Sequence, residues 1–338
     1  MELTQSNQFP LIAPYYRGKS VFVTGGAGLI GSFLVDHLVE CGANVTVVDN
    51  LYRGKLAYIA QREHVKFIRQ DLAELRSGSR VFEDAEIVFH LASKVLGIGY
   101  SLKNHTDMLF ANDAMTNGLV QALENATNLK DFFVCSSSCV YDDDGPDTTP
   151  ENYCGVGTPE KANLGYGIAK RILEEKTLFY AKQRGLKLTI ARPFNVYGER
   201  YTWAGEFSQG LPSLVKRILD NRGASTEIWG TGNQRRTYMH AQDCSHIMLG
   251  LAAHNHETGI FNIGTRETIS LLELAKLISR LAGVEPLFTF RLDMPEGRFI
   301  KSADETLLSE VLPGFKPRLM SIEQGLSRML AWYKNTFN

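Results

Sequence analysis

The fold that this sequence predicts is a doubly wound, largely parallel α/β sheet, and three observations carry it. Short β-branched runs alternate with amphipathic helical patterns through the first half of the chain. The first strand-to-helix turn is rich in glycine, and an aspartate closes the second strand. After residue 192 the texture changes to short strands interleaved with helices, as in a smaller second lobe.

In order, Ser20-Val-Phe-Val-Thr24 reads as the first strand and Leu29–Cys41 as its helix. Asn44–Asp49 and Val65–Ile68 follow as strands, then Glu86–His90 and Asp131–Val134. Long helical patterns occupy roughly 106–127 and 160–184. Beyond Arg192-Pro-Phe-Asn-Val-Tyr-Gly198, strands at Thr226–Trp229, Gly259–Ile263 and Leu287–Phe290 alternate with helices near 208–221, 241–253, 270–282 and 321–334. Residues 1–18 lack periodicity and read as an extended arm laid on the surface. Residues 19–192 then form a Rossmann-type dinucleotide-binding domain. Residues 193–338 form a smaller α/β substrate-binding lobe interleaved with it. No Pro/Ser-rich linker, low-complexity tract or internal repeat divides them.

The 338 residues are 44% hydrophobic and 22% charged, the balance of a globular protein rather than a disordered one. A net charge of −1 provides no general field for nucleic acid or an anionic membrane, so an anion site must be built locally. The N-terminus lacks the basic and apolar regions of a signal peptide, and no apolar run is long enough to span a bilayer. Five cysteines (41, 135, 139, 154 and 244) include no C-x-x-C pair, and Cys135-x3-Cys139 has no matching His or Cys cluster. Free thiols in a reducing cytoplasm, and no metal site, are expected.

Thr24-Gly-Gly-Ala-Gly-Leu-Ile-Gly31 places glycines at 25, 28 and 31 between a strand and a helix. They serve a tight turn, close approach to a pyrophosphate, and helix–strand packing, with the helix amides facing phosphate charge. Asp49, 18 residues after Gly31, can accept from both adenosine ribose hydroxyls and repels a 2′-phosphate. Asn50 follows it where an arginine would suit NADP, so NAD is the expected cofactor. The expected lining is Gly25, Gly28, Leu29, Ile30, Gly31, Asp49, Asn50, Asp71, Leu72, Leu91 and Ala92; for Asp71, helix capping is an equally good reading. Tyr166-Gly-Ile-Ala-Lys170 puts a phenol and an ammonium on one helix face. A lysine charge favours phenolate, which can take a proton from a substrate hydroxyl as hydride leaves for NAD.

These pieces (TGGAGLIGS, VVDN, HLAS, SSSCVY, YGIAK, RPFNVYG, QRRTYMH and EGR) span nearly the whole chain. In that order they resemble the extended short-chain dehydrogenase/reductase family, specifically its nucleotide-sugar epimerases and dehydratases. The resemblance implies that Ser137 hydrogen-bonds the sugar C4 oxygen. It implies that Tyr166 is the base and that Lys170 holds the nicotinamide ribose. Asn195 then lies near a substrate diphosphate clamped by Arg236 and Arg298, with Gly99, His105 and Ser138 completing the sugar site.

The 4,6-dehydratases of the family carry Asp-Glu where this chain has Ser138-Cys139. The pattern instead resembles the GDP-mannose 3,5-epimerase branch at Gly97–Ser101 with Asn104-His105, at Ser137–Tyr141 and at Tyr201–Trp203. That resemblance implies a GDP-sugar substrate and an acid/base role for Cys139 on a ring carbon beside a transient C4 ketone, given modest lowering of its pKa. The alternative reading of Cys139 is a small apolar filler, as for Cys41, Cys135 and Cys244. The branch has a lysine where Ala204 stands here, which puts two-centre inversion by that route in doubt. His105, Lys94 and Glu206 are the substitutes. A nucleotide-sugar epimerase is therefore expected, with a 4-dehydrogenase or, less favoured, a 4,6-dehydratase as alternatives. The helices at 106–127 and 160–184 resemble those that pair in the family's homodimers.

Overall fold

The computed structural model describes residues 9–154, 157–203, 205, 208–221, 224–294, 298–314 and 319–337. Its main sheet begins with β1 (Ser20–Thr24), β2 (Asn44–Asp49), β3 (Val65–Arg69), β4 (Ile87–His90) and β5 (Asp131–Cys135). A two-residue strand, β6 (Thr148–Thr149), lies outside it, and β7 (Lys187–Pro193) returns to it. The order is β12-β7-β5-β4-β1-β2-β3, where β12 is Gly259–Ile263, and every pairing is parallel. Because both faces are covered, the central strands are buried on both sides: all four residues of β4, Ile87-Val-Phe-His90, are buried. The chain runs outward in one direction from β1 and in the other from β4. A crevice is thereby opened at the carboxyl ends of these two neighbours.

One face carries α1 (Phe9–Tyr16), α2 (Leu29–Glu40) and, from the second half of the chain, α7 (Ala241–His254). The other carries α4 (His105–Ala122) and α5 (Leu164–Arg184), which follow the one-turn α3 (Ile98–Ser101). The second lobe has its own core. It is formed by α6 (Gly210–Asp220), α8 (Leu271–Ala282) and α10 (Ile322–Phe337), with α9 (Thr306–Val311) packed back toward the main sheet. Its small strands are β8 (Val196–Tyr197), β9 (Thr226–Trp229), β10 (Arg235–Arg236), β11 (Met239–His240), β13 (Ile269–Ser270), β14 (Phe288–Arg291) and β15 (Ile300–Ala303). The sheet β13-β10-β15-β6 ties this lobe to the segment that follows β5.

The extended arm is corrected in its second half: Phe9–Tyr16 is helical. Two turns are too short to display a hydrophobic period, and Pro10 and Pro14 argue against a helix in isolation. Tertiary contacts decide it. Ile12 and Tyr16 are buried, and the Tyr16 hydroxyl donates to the Leu249 carbonyl at 2.7 Å. Residues 1–8 of the arm lie outside the described residues. Elsewhere the long helix expected from 160 begins at Leu164, which leaves Glu160 in the loop before it.

Candidate active site

A cleft of about 1260 Å³ runs along the carboxyl ends of β1, β4 and β5 and continues beneath the second lobe. The glycine turn forms its floor. Gly25 has φ +70, and a Cβ there would lie 2.6 Å from the Ala92 nitrogen. A Cβ on Gly31 would lie 2.2 Å from the Gly25 carbonyl oxygen, so that α2 can start only against a bare backbone. Asp49 is held by the Ala27 amide at 3.1 Å and the Leu51 amide at 2.8 Å; burial raises its pKa, opposed by those two bonds. Asn50 donates to Asp71 at 2.9 Å, and Asp71 also caps the turn after β3 through the Ala73 amide. Leu29, Ile30, Leu72, Leu91 and Ala92 line the same groove. The bare cradle below a helix start, with a carboxylate at the next strand end, fits the pyrophosphate and ribose of NAD. Under the cradle, His90 bonds the Thr24 hydroxyl at 2.8 Å, and burial, with the Lys170 charge, lowers its pKa to about 3.

Helix α5 brings Tyr166 and Lys170 to the middle of the cleft, opposite the turn after β5 that carries Ser137, Ser138 and Cys139. An internal ion pair seats this helix. Arg192 of β7 binds Glu174 of α5 through two bonds, at 2.9 and 2.6 Å, and Ser136 donates to the same carboxylate at 2.5 Å. The Lys170 ammonium lies 5.6 Å from the Tyr166 ring centre and donates to the Cys135 carbonyl at 2.8 Å; burial lowers its pKa. Tyr166 packs with Leu96 and Met108. Burial there raises the phenol pKa far more than its Ser93 and Ser137 hydrogen bonds lower it. The acidified phenol expected from the Tyr–Lys spacing is therefore not reached by these side chains alone, because the apolar wall favours the neutral form.

Cys139 follows the same logic. Ser137 caps its turn by accepting from the Cys139 amide at 3.1 Å. The thiol donates to Glu160 at 3.4 Å, and Lys301 approaches that carboxylate at 3.2 Å. Burial raises the Cys139 pKa to about 11, with Lys301 opposing and Glu160 adding to the rise. Modest lowering was expected; the surroundings act the other way.

Gly99, Ser138, Asn195 and Arg236 also line the cleft. Asn195 sits at φ +37 and donates to the Thr237 carbonyl at 3.0 Å. Two expected substrate residues do not line it. His105 accepts from the Gly165 amide at 3.4 Å, at the close contact of α4 with α5. Arg298 donates to the carbonyls of Asp142, Gly145 and Pro146, at 3.5, 2.8 and 2.5 Å, and so ties down a loop. Backbone groups of neighbouring segments hold both side chains, and Arg298 stands close enough to Arg236 for their charges to interact. Lys94 lines the cleft paired with Asp107 at 2.7 Å, while Ala204 and Glu206 lie outside the described residues. Sequence reasoning missed Ser93, Glu160 and Lys301. Ser93 closes the HLAS run, a signal that could have found it, whereas Glu160 and Lys301 stand in no motif. Among the described residues no group of three His, Cys, Asp or Glu could hold a metal ion.

The family model described as NAD dependent epimerase/dehydratase family matches residues 21–264. A probable GDP-L-fucose synthase 1 from Oryza sativa subsp. japonica is 28% identical over 323 residues, covering 94% of this chain and 92% of the relative. A putative UDP-glucose 4-epimerase from Methanocaldococcus jannaschii is 30% identical over 321 residues, covering 93% and 98%. The crystal structure of UDP-glucose 4-epimerase with UDP-glucose from Thermotoga maritima superposes with a TM-score of 0.79 at 28% identity, covering 94% of this chain and all of that one. The chain is an enzyme of the NAD-dependent epimerase/dehydratase family, within the extended short-chain dehydrogenases/reductases.

Proposed function

We propose that the chain is a nucleotide-sugar epimerase that works through transient oxidation at the sugar C4, with a GDP-sugar as the favoured substrate. The observation that carries this reading is the cleft wall itself. Ser137, Cys139 and Tyr166 share it, and no carboxylate pair stands at 138–139 to drive elimination. In this reading Ser137 orients the C4 hydroxyl and Tyr166 takes its proton. Lys170 holds the nicotinamide ribose, and Asn195 and Arg236 face the diphosphate. NAD, when bound there, would supply a reversible hydride acceptor for C4, so that no net redox would occur. The ketone acidifies the neighbouring C–H bonds, and Cys139 exchanges a proton at one of them. Alanine at 204 cannot supply a second proton, so inversion of one centre is favoured over two. Support for GDP comes from the resemblance at Gly97–Ser101, Ser137–Tyr141 and Tyr201–Trp203 and from the rice relative's name; the other two relatives described above are named for UDP-glucose.

The decisive experiment incubates the protein with GDP- and UDP-sugars in deuterated water and locates label by NMR. Label at C3 or C5 with no net change at 340 nm is expected, and is lost in Cys139→Ala and Tyr166→Phe. Stoichiometric NADH would show a 4-dehydrogenase instead, and loss of water at C5 and C6 a dehydratase. We also read the protein as a homodimer. Phe110 on α4 and Phe179 on α5 are 66% and 65% exposed beside the Asp113–Lys176 pair that joins these helices. The five free cysteines suit a cytoplasmic location, and no helix among the described residues is long and apolar enough to cross a membrane.

A further inference from the structure

Three hydrogen-bond donors converge on one oxygen at the sugar end of the cleft. The Cys139 thiol lies 3.4 Å, the Lys301 ammonium 3.2 Å and the Asn163 amide 3.1 Å from Oε2 of Glu160. The Glu160 and Lys301 side chains are 12% and 5% exposed, and both line the cleft beside Cys139. An ion pair this well enclosed is an unusual neighbour for a thiol that is to act as a thiolate base. Sulfur facing a carboxylate is held in its protonated form, because ionisation would set two negative charges against each other.

We propose that Glu160 is a positioning residue that holds Cys139 as a hydrogen-bonded thiol, so that Cys139 acts as the acid, not the base, of the ring-proton step. The inference rests on the epimerase reading and specifies the direction in which its proton moves. The ring C–H bond first gives its proton to water on the face opposite Cys139, and the enolate so formed beside the C4 ketone supplies the electron pair of the new C–H bond. The Cys139 S–H bond breaks and its pair stays on sulfur. The Lys301 ammonium, already seated on the oxygen that the sulfur faces, offsets the charge so created. The thiolate recovers its proton from water once the sugar has left. The other groups around this centre are Tyr166 and Lys170 from α5, Cys135 from β5, and Arg236 from β10, whose charge acts on Glu160. Glu160 itself is kept ionised: despite burial, Lys301, Asn163 and Cys139 bring its pKa down to about 2.

The test reads the thiol directly, in the full-length protein without any sugar. Alkylation of Cys139 by iodoacetamide is followed against pH by peptide mass spectrometry, which separates it from the other four cysteines. The wild-type midpoint is expected well above the ordinary value of about 8.5. Glu160→Gln should lower it by about one pH unit or more, raising alkylation at pH 8 roughly tenfold. Lys301→Met should move it upward and Lys301→Arg restore it, a pair that keeps the test open if Glu160→Gln does not fold. A wild-type midpoint at or below about 8.5, or superimposable profiles for wild type and variants, would overturn the proposal. Because no substrate enters the measurement, failure to epimerise any nucleotide sugar would be a separate result.

Discussion

Removal of the Arg192 guanidinium probes the joint that seats the catalytic helix. Arg192 and Glu174 have side chains 3% and 6% exposed, and the guanidinium also donates to the Tyr141 hydroxyl at 3.1 Å and the Glu151 carbonyl at 2.7 Å. Burial disfavours the charged guanidinium, yet its bonds to Glu174 outweigh that and raise its pKa further. Arg192→Met leaves Glu174 buried with Ser136 as its remaining side-chain partner, an uncompensated charge that costs about 3–5 kcal/mol. Against a total of about 5–15 kcal/mol this is a large fraction of the stability. At about 2–4 °C per kcal/mol for a large domain, Tm should fall by about 6–20 °C in circular dichroism melts. The double variant Arg192→Met/Glu174→Met replaces both charges with apolar volume and should recover most of the loss. A single variant melting within about 2 °C of wild type, or a double variant no better than the single, would refute the view that this pair is a coupled joint.

Gly31→Ala places a Cβ 2.2 Å from the Gly25 oxygen and should reduce NAD affinity at least tenfold by calorimetry; undiminished affinity would remove the cradle from the argument. His37 and His246 stack with ring centres 3.7 Å apart. Burial lowers both pKa values, for His37 with help from the charges of His246 and Arg200, and for His246 to about 4. Both are therefore neutral in the fold. Their contribution is complete above the unfolded pKa of about 6.5 and is lost as pH falls toward 4, at most about 3 kcal/mol for His246. Urea midpoints of wild type should drop between pH 7 and 4.5 by more than those of His246→Phe; parallel profiles would contradict this. Phe110→Asp with Phe179→Asp should halve the mass seen by light scattering, whereas an unchanged mass would place any interface elsewhere.

Much of the main sheet was legible because its signals are local. The alternation of β1, α2 and β2 follows from residues within a few positions of one another, and the glycine turn is joined to Asp49 at the next strand end across only 18 positions. The Tyr166–Lys170 spacing likewise needs only a helix to become a shared face. Short-range legibility failed where a partner comes from far away. Helix α1 is held by contacts such as Tyr16 to Leu249, across 233 positions, and two turns carry no periodic trace of that. The loop carbonyls that hold the Arg298 guanidinium lie 152 to 156 residues earlier, and no local pattern announces them.

What the sequence by itself determined is which chemistry is available: a dinucleotide cradle, a phenol with a lysine one turn away, and a thiol beside a serine. Only the tertiary structure decided the charge state of those groups. Glu160 and Lys301 stand 141 positions apart and meet because β15 pairs between β10 and β6. Bonding connectivity specifies a side chain's functional group. Its pKa depends on the dielectric and the charges within a few ångströms, and those are set by packing.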